Sequence, residues 1–117
     1  MYELVNRSMI IVKPKKPFLD WANGVDGDHN DFTQKEMEDD CAVFLIQDYE
    51  EDHEKEQILK KHYRELFEAE LGGWCTDESM WPVKRDYKTF KQWFRVDFHS
   101  MVFDLQEDEY IIEDAEV

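Results

Sequence analysis

The sequence predicts an α+β fold: a small mixed sheet of three to four strands covered by two or three helices, in the order β-α-β-α-α-β with an optional final strand. Three observations predict it. Two short apolar runs, Ser8 to Val12 and Cys41 to Gln47, are strand-length and rich in β-branched and aromatic residues. Between them and the C-terminal third, Ile58, Leu59, His62, Tyr63, Leu66 and Phe67 recur at the spacing of one helix face. From Val96 to Leu105 the chain alternates as a half-buried strand does.

Taken in order, Ser8 to Val12 is a first strand buried on both faces or nearly so, stopped by Pro14 and Pro17. Lys13 to Asp31 reads as a long connection rich in Pro, Gly, Asn and Asp, pinned to the core by Phe18, Leu19 and Trp21. Thr33 with Glu36 forms a capping box that opens a short helix to about Asp39. Cys41 to Gln47 is expected as the central strand. Asp48, with Glu51 three residues on, is expected to cap the long helix, and Gly72 and Gly73 to end it. Thr76 to Met80 has room for one helical turn. Asp86 caps a second amphipathic helix bearing Phe90, Trp93 and Phe94. In the third strand Val96 and Phe98 share one side and Arg95, Asp97 and His99 the other. Tyr110 to Ile112 is expected to add an edge strand by hairpin or to belong to a tail, within an acidic segment 106–117.

At 117 residues the chain suits one domain with one core. Hydrophobic residues make up 42% and aromatics 15%, which a disordered chain would lack. The formal net charge is -15, from 29 acids against 14 bases. That sign argues against direct binding to nucleic acid or to anionic lipid and permits a protein partner with a basic patch. No stretch approaches the roughly 20 apolar residues of a membrane span. Cys41 and Cys75 make no disulfide framework, and no signal-peptide pattern is seen, so the expected location is the cytoplasm. Apolar strands that need cover on both faces leave homo-oligomerisation open.

Candidate chemistry is sparse. Asp26 to Asp31 starts like a calcium loop, but Asp31 replaces the required Gly and Met37 the bidentate Glu, so a turn rich in Asx residues is preferred. His29, His53, His62 and His99 form no metal-ligand or catalytic spacing. Asp97 and His99 share a strand face and are a candidate His-carboxylate pair, with a surface hydrogen bond the plainer reading. No phosphate loop, nucleophile elbow or CxxC is present, and no cofactor is implied.

Trp21, Trp74 and Trp81 fall in loop-like stretches and are candidates for a ligand or partner surface, together with Asp97 and His99. Closure of the core ends is their plainer role. Lys13, Lys15 and Lys16 form one basic segment, and Lys84, Arg85 and Lys88, continued by Lys91 and Arg95, form another. Together they predict a cationic island on an anionic body, open to an anion or to the chain's own acidic tail. The expected function is therefore a non-enzymatic interaction or regulatory domain. A small-molecule-binding protein or small enzyme comes second, with a pocket between Trp21 and Trp74 to Trp81 and polar groups from Asp20, Asp77, Glu78, Asp97 and His99. A nucleic-acid mimic comes third, because Lys60, Lys61 and Arg64 interrupt the acids along the long helix.

Overall fold

The computed structural model describes residues 3–26 and 33–113. The elements run β1 (Glu3–Leu4), β2 (Ser8–Pro14), α1 (Lys16–Asp26), α2 (Gln34–Asp39), β3 (Ala42–Ile46), α3 (His53–Trp74), α4 (Tyr87–Trp93), β4 (Phe94–His99) and β5 (Phe103–Asp104), with a 3-10 turn at Glu78–Met80. The α+β class and the predicted element order hold. The strand pairings are all antiparallel among the described residues, where a mixed sheet was expected.

The main sheet has the order β3-β2-β4, and β1 pairs separately with β5. The run Cys41 to Gln47, expected in the centre, is thus an edge strand. The centre belongs to β2, because it alone finds partners on both sides: Ile10 faces Phe44 on β3 and Phe98 on β4. On β2 burial alternates strictly, with Ser8, Ile10, Val12 and Pro14 inside and Met9, Ile11 and Lys13 half-buried. One face therefore packs against the core and the other does not, as antiparallel sheets permit.

The segment expected as a long connection is the helix α1. Phe18, Trp21, Ala22 and Val25 fall on one helical stripe, and Phe18 and Ala22 are buried. Pro17 costs little in the first turn, where its missing N–H has no partner to lose. Packing outweighs the poor propensity of Asn23 and Gly24. The Phe18 ring meets Phe94 at 5.2 Å and Trp21 at 5.4 Å.

The capping box on α2 is formed as expected, with Thr33 Oγ1 accepting from the Glu36 N–H. Helix α3 starts later than expected. Its N-cap is Asp52, and Asp48 instead accepts a 3.1 Å bond from the buried Ser8 hydroxyl. It also runs through Gly72 and Gly73 to Trp74, held there by buried Leu71 and Gly72. Asp86 caps α4 by accepting from the Thr89 N–H. The expected third strand breaks into β4 and β5, and Tyr110 to Ile112 forms no strand.

The core lies between the inner sheet face and α1, α3 and α4. Phe67 is wholly buried and meets Phe94 at 5.4 Å, Trp93 at 5.5 Å and Phe90 at 5.9 Å. Rings at these separations add to simple area burial.

Candidate functional site

The three candidate tryptophans do gather at one end of the core, and each indole N–H is bonded to a main-chain carbonyl. Trp21 donates to Met80 at 2.9 Å, Trp74 to Ala22 at 3.0 Å and Trp81 to Cys75 at 2.8 Å. They tie α1 to the C-terminal end of α3 and to the loop beyond it, which is core closure. Asp20 pairs with Lys16, and Asp77 accepts from Ser79. Both are engaged by near neighbours in sequence.

Asp97 and His99 lie elsewhere, on the sheet face away from the core. The Asp97 carboxylate accepts 3.1 Å bonds from the Arg95 guanidinium and stands 3.0 Å from Lys13 Nζ. The Arg95 bonds first, then Lys13, hold its carboxyl down to about 2. Cations on the same sheet face thus engage both carboxylate oxygens. The candidate His-carboxylate pair is replaced by an Arg-Asp-Lys cluster.

The cationic island is half assembled. Lys13 and Arg95 are cross-strand neighbours, and Lys15 Nζ donates to the Lys91 carbonyl on α4. Arg85 lies over the Trp81 ring at 5.6 Å and donates to Pro82, a separate setting. Among the described residues two of these lysines pair within the folded body, Lys13 with Asp97 and Lys91 with Glu56, where the acidic tail was the expected partner. The calcium-like stretch after Asp26, with His29, lies outside the described residues. Among the described residues no group of three or more His, Cys, Asp or Glu is arranged to hold a metal ion.

Two features emerge that the sequence reading missed. The first is the outer face of the sheet. It carries Met9, Ile11 and Lys13 from β2, Val43 and Leu45 from β3, and Arg95, Asp97 and His99 from β4, none of them buried. Val43 is 52% and Leu45 57% exposed. Beyond Leu45 the apolar surface continues into a groove of about 290 Å³ lined by Val5, Val102, Phe103 and Tyr110, with Arg7 and Asp104 at its polar side. Exposed apolar side chains grouped on one face make it a candidate contact surface.

The second is a cavity of about 470 Å³ among β2, α1, α2 and the end of α3. Its walls include Val12, Phe18, Met37 and Trp74, with Cys41 and Glu70 among its polar groups. Glu70 Oε1 is shut from solvent and has no hydrogen-bond partner among the described residues. Burial raises the Glu70 carboxyl from 4.5 to about 7. Burial, and then the nearby Glu70, also raise the Cys41 thiol, and Cys41 donates to the Met37 and Glu38 carbonyls. A thiol in that setting is a weak nucleophile.

No family model, no curated protein and no solved structure matches this chain. No described helix is long and apolar enough to cross a membrane.

Proposed function

We propose that this protein is an interaction domain that binds a partner protein bearing a basic patch. The observation that supports this best is the uncovered outer face of the sheet. Val43 and Leu45 stand in solvent on a strand whose neighbours in sequence are acidic. The apolar stripe supplies contact area, and the acids supply the choice of partner and its rate of approach. The site holds no pairing of an activated nucleophile with a base, which fits binding better than catalysis.

The test is affinity capture from a native extract at low and high salt, using the native chain beside a Val43→Lys, Leu45→Lys variant. The expected result is a partner held by the native chain, released as salt rises and lost from the variant. Capture that ignores salt overturns the electrostatic part. Capture that ignores the variant overturns the face.

A second reading is binding of a small molecule in the Glu70 cavity, favoured by the unpartnered Oε1 atom inside it. It differs from the pocket expected between Trp21 and Trp74 to Trp81, since only Trp74 lines it. Amide shifts at Gly73 and Trp74 on titration with small amines and carboxylic acids test it, and flat titrations count against it.

A further inference from the structure

Strand β3 is paired on one side only. Its partner is β2, and among the described residues no strand lies on its other edge. Such an edge offers a row of main-chain donors and acceptors to any extended chain. Proteins usually blunt it with a charge or a proline within the strand. Here the strand is Ala42-Val43-Phe44-Leu45-Ile46, apolar throughout, and Ala42, Val43 and Leu45 are all exposed. Even on the core side the cover thins out, since Phe44 is only half-buried.

The charge sits just outside the strand. Glu36, Glu38, Asp39 and Asp40 precede it, and Asp48, Glu50, Glu51 and Asp52 follow it, all exposed. Few cations offset them. Lys55 pairs with Asp52, and His53 stands 3.1 Å from Glu51. An apolar edge with acids at both ends discriminates by sign. A second copy of β3 laid along this edge, parallel or antiparallel, brings acids against acids at both ends, which is unfavourable. The chain's own Tyr110-Ile111-Ile112 meets the same repulsion, flanked as it is by Asp108, Glu109 and Glu113. A strand with basic ends turns both contacts favourable.

We propose that β3 is the docking edge for an extended segment of a partner protein, apolar in its middle and carrying lysine or arginine at both ends. The inference rests on the reading of the protein as an interaction domain and names the part of the partner that is recognised. Main-chain pairing along β3 supplies affinity, Val43 and Leu45 meet alternate side chains of the added strand, and the two acid clusters select its ends.

The test uses two synthetic strands on the full chain. One has alternating valine and threonine with two lysines or arginines at each end. The other has glutamates in their place. NMR amide shifts and amide exchange report the position. The basic strand is expected to shift and protect Ala42 to Ile46, with affinity falling about tenfold from low to physiological salt, and the acidic strand to do nothing. An Asp39→Lys, Asp40→Lys, Glu50→Lys, Glu51→Lys variant is expected to invert the preference by about tenfold, a result that only a folded edge can give. Shifts that fall on another element overturn the inference. So does binding of neither strand, and in that case a partner still captured through the outer face leaves the interaction reading standing. Sedimentation that shows a dimer dissociated by Val43→Lys also overturns it, by naming a second copy as the occupant.

Discussion

The Lys13 ammonium lies 3.0 Å from the Asp97 carboxylate, across the pairing of β2 with β4. Arg95 closes the cluster from the same strand. The pair sits on the open face, partly wet, so its worth is modest. Asp97→Asn is expected to lower stability by about 1 kcal/mol or less, and by less still at high salt. With the carboxyl held at about 2, its contribution is full above the ordinary value of 3.8 and fades as pH falls toward 2. A carboxyl-carbon NMR titration with a midpoint near 4 would contradict this.

Glu70 has the opposite sign. Its carboxyl is raised to about 7, so the folded chain holds a proton there that the unfolded chain releases. Stability from this group falls as pH rises from about 4.5 through 7. Glu70→Gln is expected to raise stability by about 1–3 kcal/mol near pH 8 and to change it little near pH 5. Urea titrations at both pH values check it, and an equal gain at each points away from the charge.

Phe67 joins the long helix to α4 and the start of β4. Phe67→Ala is expected to cost about 3–5 kcal/mol, since the rings of Phe90, Trp93 and Phe94 cannot all move into the space. Denaturant unfolding measures it. A loss near 1 kcal/mol would mean that the aromatic cluster re-forms without its centre.

Trp74→Phe is expected to cost about 1–2 kcal/mol, through the lost bond to the Ala22 carbonyl and some lost packing. Its mark is local. Amide exchange should quicken in α1 more than in α4, and equal quickening in both would argue against Trp74 as the tie.

Leu45→Lys should change stability by no more than about 0.5 kcal/mol, because Leu45 is already in solvent. Thermal unfolding is the check. A large loss would show that the outer face is covered by something other than water.

Much of the framework could be read from local pattern. The stripe from Ile58 to Phe67, the Thr33 capping box and the Asp86 cap are fixed by neighbours in sequence, and each forms as expected. Helix α1 is hidden because Pro17, Asn23 and Gly24 speak against a helix, and it takes distant contacts, to Phe94, Trp93 and Trp74 among others, to outweigh them. The run around Phe44 reads as central because an all-apolar strand normally means cover on both faces. The same apolar run stands at the edge, which is why the docking surface could not be seen beforehand. Glu70 gave no signal either. Along the helix it looks like its neighbour Glu68, and only the arrival of α2 and Trp74 closes water away from it.

The central strand has a consequence for how the chain comes into being. Residue 10 is paired with residue 44 on one side and residue 98 on the other. In order of synthesis, β3 follows β2 with two helices between them. The second neighbour of β2 follows only after α3 and α4. Until β4 appears, Ile10 and Val12 have half a sheet, and the aromatic cluster lacks Phe90 and Phe94. Contacts that join distant parts of a chain form slowly. Until α3 and α4 have been made, β2 lacks its β4 neighbour and is itself an edge strand with main-chain groups unpaired on that side.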